Sequence, residues 1–272
     1  MRILMLGYYV HQLSPVLIQI GPVAIHWYGM AYVSAFLVGF FLYRWLCSNG
    51  YGEMPREAVS DFITGGAVFG VLLGGRLGWV LFYDLRGAIE NPLSIFRVWE
   101  GGMSSHGGML GLVFFTLYFA RKNKLSWLGI GDNLCVVAPF GLFFGRMANF
   151  VNGELFGNPA TVPWAVIFPG ESVPRHPSQL YEGFLEGVVL FIILWMLRTR
   201  VRVPRGVITG AFFICYALLR IVGEIFRVPD EAWSVGVMSA GQFLSLFLII
   251  MGGAFMLYGF THPRFERRPE TQ

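Results

Sequence analysis

The sequence predicts an all-α polytopic membrane protein of about seven transmembrane helices, with its N-terminus periplasmic and its C-terminus cytoplasmic. Three observations predict this. Of 272 residues, 55% are hydrophobic and only 13% charged, whereas soluble domains carry about 25% charged residues. Seven segments are long enough to cross a hydrocarbon core of about 30 Å, which takes roughly 20 apolar residues in a helix. Basic residues gather on alternate connections, as the positive-inside rule describes. Residues 1–272 therefore read as one integral-membrane domain, with a short, polar, mobile cytoplasmic tail over 260–272.

The first segment lies near 23–46 and opens on His26-Trp27-Tyr28-Gly29. Trp and Tyr at a membrane surface ordinarily belong to the interfacial belt. Tyr28 also offers a phenol that can donate to a phosphate or ester oxygen. The second, near 58–83, contains Gly74-Gly75-Arg76-Leu77-Gly78-Trp79. Its glycines read as packing devices that let helices approach closely, and Arg76 as the partner of a carboxylate or of a substrate. The third, near 103–120, follows Gly101-Gly102-Met103-Ser104-Ser105-His106-Gly107-Gly108. Free backbone N–H groups at such a helix start suit an anion, and His106 in the first turn is a candidate proton acceptor.

The fourth segment, near 130–151, runs into Gly145-Arg146-Met147-Ala148-Asn149-Phe150-Val151-Asn152-Gly153-Glu154-Leu155-Phe156-Gly157. On a continuing helix Arg146, Asn149 and Gly153 share one face. A charge at membrane depth costs at least a few kcal/mol and usually points inward. Snorkelling to headgroups would explain Arg146 alone, but two amides and a carboxylate beside it favour a site. The fifth segment, near 178–197, starts at His176-Pro177-Ser178-Gln179-Leu180-Tyr181-Glu182, with Pro177 expected as the first helical residue. Glu182 and Glu186, at i and i+4, repel unless cations answer them. The sixth, near 206–226, carries Arg220 and Glu224, again at i and i+4, and the seventh lies near 235–259. Arg220 and Glu224 can neutralise each other; alternatively Arg146 and Arg220, from separate helices, can clamp a phosphate, which guanidinium groups bind bidentately.

Orientation follows from the basic residues. With the N-terminus outside, twelve of the 20 lie on the cytoplasmic side: Arg44, Arg56, Arg121, Lys122, Lys124, Arg198, Arg200, Arg202, Arg205, Arg264, Arg267 and Arg268. Five lie outside (Arg2, Arg86, Arg97, Arg175 and Arg227), and Arg76, Arg146 and Arg220 are left within the membrane. The net charge of +4 thus reflects cytoplasmic anchors, not a nucleic-acid surface. The loops around 84–102, 152–177 and 227–234 face outward, and a site near them belongs to the outer leaflet.

Several chemistries are not signalled. Cys47, Cys135 and Cys215 are odd in number and widely spaced, so they form neither a disulfide framework nor a metal site and read as packing residues. There is no HExxH, no paired His/Cys spacing and no Walker loop. The N-terminus lacks the pattern of a cleavable signal peptide, so insertion is expected to start from the first spanning helix. No internal repeat is visible, unlike many secondary transporters.

The motifs at 26–29, 74–78, 101–108, 145–154, 176–182 and 220–224 occur in order, and together the chain resembles the bacterial prolipoprotein diacylglyceryl transferases over essentially its whole length. It departs at Ser105, where many members have Phe, and at Met147, where Ile is common. The resemblance implies phosphatidylglycerol and the lipobox cysteine of a preprolipoprotein as substrates, a thioether and glycerol phosphate as products, and neither metal nor organic cofactor. It implies Tyr28, His106, Arg146, Asn149, Glu154, Gly157, Arg220, Glu224 and Arg76 as site residues. On that basis Arg146 and Arg220 are expected on the phosphate, with Glu154 and Glu224 orienting them or moving protons. Asn149 and Tyr28 would hold lipid oxygens, Gly157 and Arg76 would help bind phosphatidylglycerol, and His106 would accept the thiol proton.

Two readings from other classes compete. A flippase or transporter for an anionic lipid would use the same intramembrane arginines. An intramembrane hydrolase would pair Ser104 or Ser105 with His106.

Overall fold

The computed structural model describes residues 7–98, 101–228, 234–235 and 238–266. The middle of the loop expected at 227–234 and the tail beyond 266 lie outside the described residues. In chain order the elements are β1 (Tyr9–Val10), β2 (Val16–Ile20), β3 (Val23–His26), α1 (Trp27–Ser48), α2 (Ala58–Tyr83) and α3 (Leu85–Glu90). A 3-10 turn at Pro92–Phe96 precedes α4 (Ser105–Lys122) and α5 (Trp127–Asn152). Then come β4 (Val166–Ile167), α6 (Ser178–Arg200), α7 (Val207–Glu224), β5 (Ser234–Val235), β6 (Met238–Ser239) and α8 (Ala240–Thr261).

Among the described residues, six helices are long and apolar enough to cross a membrane: α1, α2, α5, α6, α7 and most of α8. The segment expected near 103–120 is also a helix, the 18-residue α4. It falls short of the other six in apolarity because His106 sits in its first turn and Arg121 and Lys122 in its last. Burial is inverted relative to a soluble protein. Phe41 and Ile250 are 64% and 65% exposed, whereas Gln179, Glu182 and Glu186 are fully buried. Apolar side chains facing outward, with charged ones held inside, are what a bilayer selects.

The first helix starts later than its hydropathy suggested. Residues 23–26 belong to a hairpin, with Val16 paired to His26 and Ile20 to Val23. Gly21 turns it with a φ of 59°, a left-handed conformation that costs glycine little. Trp27 N–H donates to the Pro15 carbonyl (3.0 Å), which fixes the start of α1 against the hairpin.

The chain forms two compact units, Met1–Leu42 with Leu134–Phe265, and Tyr43–Asn133 with Glu266–Gln272. In the second, α2 and α4 meet backbone to backbone. A Cβ on Gly107 would lie 2.8 Å from Gly78 Cα, and one on Gly111 2.8 Å from Gly74 Cα. These glycines are packing devices, as expected of small residues between membrane helices. A π-helical turn at Gly66–Leu72 interrupts α2, and Tyr43, Phe62, Phe115 and Phe119 form an aromatic cluster beside it.

In the first unit, β1 runs parallel to β4, pairing Tyr9 with Val166 and Val10 with Ile167. This ties the N-terminal segment to the long 153–177 loop. Helix α5 tolerates Pro139 in its interior, and α6 contains a π-helical turn at Gly183–Val189. Gly183 and Gly187 lie against α5: a Cβ on Gly187 would stand 2.6 Å from Phe143 Cβ, and one on Gly183 3.3 Å from Arg146 Cβ. Gly210 brings α7 equally close to α8, where a Cβ would meet the Gly252 carbonyl at 2.6 Å. The start of the tail is held rather than loose: Arg205 N–H donates to the Arg264 carbonyl (2.9 Å), and the Arg202 guanidinium lies 5.3 Å from the Phe265 ring.

Candidate functional site

The glycine contacts between α5 and α6 decide where the charges meet. With no side chain at 183 or 187, Arg146 on α5 reaches two carboxylates on α6. Its Nη1 stands 3.0 Å from Glu182 Oε2 and its Nη2 3.3 Å from Glu186 Oε2. Arg220 on α7 comes to the same pair, donating from Nη1 to Glu182 Oε1 with Glu186 Oε1 at 3.6 Å. Its Nη2 lies 3.0 Å from Glu224 Oε2, one turn along α7. Arg227, just beyond α7, is 3.5 Å from Glu182 Oε1. Among the described residues, three arginines and three glutamates therefore form one cluster, with both α6 carboxylates fully buried. Gly223 makes room for it, since a Cβ there would sit 3.3 Å from Glu182 Cγ.

Such a cluster is a rigid device. Removing one member of a buried ion network leaves an uncompensated charge and costs about 3–5 kcal/mol. Arg146 and Arg220 are nonetheless not sealed: their side chains keep 16% and 12% exposure. They are fixed cations whose side chains stay partly accessible, an arrangement suited to an anionic oxygen.

The residues after α5 form a second layer. The sequence offers Glu154 as a group that orients an arginine or moves a proton; its Oε1 accepts from Asn149 Nδ2 (2.8 Å) and Asn152 Nδ2 (3.3 Å), not from an arginine. The reason is local. The chain turns at Gly153 (φ 67°) directly after α5, which folds the carboxylate back on the amides of the last turn of α5. Leu155 follows with a φ of 56°, a strained value for a residue with a side chain. The start of α6 holds this turn in place: Gln179 Nε2 donates to the Glu154 carbonyl (2.6 Å) and Ser178 Oγ to the Leu155 carbonyl (3.1 Å). Pro177 precedes the helix as its cap instead of opening it.

Gly157 is a point of close approach. Its N–H donates to the His176 carbonyl (2.9 Å), and a Cβ would collide with the Phe226 carbonyl and come within 2.9 Å of His176 Cβ. The next residue, Asn158, donates from Nδ2 to the Arg227 carbonyl (2.9 Å). The loop is thereby tied to the segment that delivers Arg227. His176 Nδ1 and Trp164 Nε1 both meet the Tyr181 hydroxyl, at 3.2 and 2.6 Å, so the 176–182 motif anchors the loop at several points. Tyr28, in the first turn of α1, is half-buried with its ring 5.4 Å from that of Tyr32.

Arg76 and His106 belong to the second unit. Arg76, buried at 5% exposure, is held by backbone carbonyls where the sequence suggested a carboxylate or a substrate. Nε donates to Ile95 O (3.0 Å), Nη2 to Ser94 O (2.6 Å), and Nη1 to Gly101 O (2.6 Å) and Gly102 O (3.1 Å). Its guanidinium also stands 4.8 Å from the Trp79 ring. It gathers the loop before α4 around itself. Ser104 caps α4 by accepting from Gly107 N–H (3.2 Å). His106 is exposed in the first turn.

A profile of the prolipoprotein diacylglyceryl transferases matches residues 15–258, a span that contains every residue of both layers. The chain belongs to that family. Among similar proteins, the phosphatidylglycerol–prolipoprotein diacylglyceryl transferase of Rhodospirillum rubrum is 48% identical over 248 residues, covering 88% of this chain and 90% of that protein. The protein of the same name from Azospirillum brasilense is 47% identical over 249 residues, covering 88% and 92%. The one from Coxiella burnetii (strain RSA 331 / Henzerling II) is 42% identical over 259 residues, covering 94% and 98%.

For this diacylglyceryl transferase family member, the sequence pointed to Arg146, Arg220 and Glu224 but left Glu182, Glu186 and Arg227 out of the site. A signal existed for the two glutamates. Like charges one turn apart in an apolar helix demand cations, and the arginines of α5 and α7 supply them. For Arg227 there was none, since a basic residue just past a helix end reads as an interfacial charge.

Proposed function

We propose that this chain transfers the diacylglyceryl group of phosphatidylglycerol to the lipobox cysteine of preprolipoproteins, the first step of bacterial lipoprotein maturation. Family membership and the relatives' names support the reaction. The observation that carries it to particular residues is the convergence of Arg146 and Arg220 on Glu182. It supplies two fixed cations from separate helices, each with part of its side chain accessible.

In this reading the cysteine sulfur attacks the glycerol carbon that carries the phosphate. The C–S bond forms as the C–O bond breaks, and the electron pair leaves on the phosphate oxygen of glycerol phosphate. Negative charge grows on that phosphate, where Arg146 and Arg220 stabilise it best because a dry, prearranged site needs no reorganisation. A free thiol with a pKa near 8.5 is only a few per cent thiolate at neutral pH. His106 accepts its proton, and the arginine field also favours the thiolate. Asn149, oriented by Glu154, and Tyr28 hold lipid oxygens. Glu224 steadies Arg220. Arg76 and Gly157 act on phosphatidylglycerol binding through the loops they fix. The nucleophile is the substrate's, so catalysis consists mainly of positioning and electrostatics.

The finer topology belongs to the same proposal. The chain is a single transferase domain of seven helices in the bacterial inner (cytoplasmic) membrane, with α4 as the seventh span. Its N-terminus and active site face the periplasm, and its C-terminus faces the cytoplasm. The twelve basic residues on the connections assigned to the cytoplasm support that orientation.

The direct test uses the purified protein in detergent with phosphatidylglycerol and a lipobox peptide, followed by mass spectrometry. A gain of one diacylglyceryl unit, absent when the peptide cysteine is serine, is expected. Intact lipid with both substrates bound would overturn the reading in favour of transport, which a liposome flip assay would then report.

A further inference from the structure

We propose that Glu182 is a positioning residue for the transfer reaction, setting the spacing and aim of Arg146 and Arg220; the inference rests on the transferase reading above. Glu182 is the one carboxylate in the described cluster that all three arginines reach. Its Oε1 takes Arg220 and, at 3.5 Å, Arg227, while its Oε2 stands 3.0 Å from Arg146. Glu186 pairs with Arg146 and Arg220, at 3.3 and 3.6 Å, and Glu224 pairs with Arg220 at 3.0 Å.

The surroundings leave Glu182 little freedom. The side chain is fully buried. Gly223 on α7 faces its Cγ and Gly183, its neighbour in sequence, faces Arg146 Cβ, each so closely that an added Cβ would come within 3.3 Å. Gly223 thus brings the α7 backbone against the Glu182 side chain, and Gly183 brings α6 against Arg146. Arg146 is held between two acids one turn apart on α6, hydrogen-bonded to Glu186 through Nη2 and ion-paired with Glu182 through Nη1.

Glu182 therefore performs two tasks. It separates three like charges that would otherwise repel one another, and it presets the distance between the guanidinium groups of Arg146 and Arg220. Preset donors matter when charge develops only in the transition state, and a displacement of about 1 Å in such a site can cost on the order of 10²-fold in rate. The role predicts a loss in turnover that exceeds the loss in substrate affinity.

The test measures kcat and the KM for a lipobox peptide at saturating phosphatidylglycerol, together with thermal unfolding in detergent. It compares the wild type with Glu182→Gln, Glu182→Asp and Leu190→Ala. Gln keeps the shape and removes the charge; Asp keeps the charge and shortens the reach. Leu190, fully buried further along α6, reports what lost packing alone does. Glu182→Gln is expected to lower kcat by about 10²-fold with peptide KM changed by less than about threefold, and Glu182→Asp to recover part of the loss. Leu190→Ala should lower thermal stability without a comparable fall in kcat. Transfer by the wild type with Glu182→Gln within about threefold of its kcat would overturn the proposal alone. So would an equal kcat loss in Leu190→Ala. If the Gln variant does not fold, Glu182→Asp decides: reduced kcat at unchanged peptide KM supports the role, and wild-type kcat overturns it. No transfer by the wild type would overturn the transferase reading, and the proposal with it.

Discussion

Glu182 Oε2 and Arg146 Nη1 lie 3.0 Å apart, joining helices that the sequence separates by the whole 153–177 loop. That contact exists because Gly183 and Gly187 let α6 lie against α5. It links helix packing directly to the electrostatics of the site.

If Arg146 carries transition-state charge, Arg146→Ala should reduce diacylglyceryl transfer by about 10²–10³-fold or more, as loss of an oxyanion donor does. His106→Gln should cost less, about 10–10²-fold, because the arginine field still favours thiolate. Rates for both variants from the peptide mass assay check this. The reverse order would refute the division of labour.

The helix contacts predict a contrast between two glycines facing opposite ways. Gly187→Ala puts a methyl group 2.6 Å from Phe143 Cβ, so α6 must shift, at a cost of about 1–3 kcal/mol. Gly141→Ala, on α5, meets nothing within 4 Å and should be neutral or stabilising by up to about 1 kcal/mol. Thermal unfolding in detergent should separate them, and transfer should fall with Gly187→Ala because Arg146 moves with the interface.

Leu155 holds a φ of 56° at the turn that aims Glu154. Leu155→Gly should be neutral or stabilising by up to about 1 kcal/mol, despite the lost side chain, as the left-handed strain is relieved. Leu155→Ile, β-branched, should be clearly destabilising. A lower melting temperature for the Gly variant than for the Ile variant would show that the turn is unstrained.

Arg76→Lys should not behave as a conservative change. A single ammonium cannot span carbonyls of residues 94, 95, 101 and 102, and hydrogen bonds from a charged donor are worth about 1.5–3 kcal/mol each. Faster amide hydrogen exchange across 91–104, with exchange in α5 and α6 unchanged, is the expected result.

The sequence by itself determined the membrane class, because segments of apolar residues long enough to cross a bilayer leave few alternatives. It located Arg146 and Arg220, since a charge inside an apolar run is conspicuous, and it identified the family through ordered motifs. It was less able to bound the elements: the Val23–His26 strand merged with the helix it leads into, because its first three residues are apolar. Which charges meet was decided by tertiary structure alone. Glu154 follows Arg146 closely in the chain yet turns to Asn149, because Gly153 and Leu155 reverse the backbone. Arg146 instead finds Glu182 and Glu186 on another helix. An ion pair depends on which helix faces approach within a few ångströms, and that is set by where glycines permit contact between helices distant in sequence.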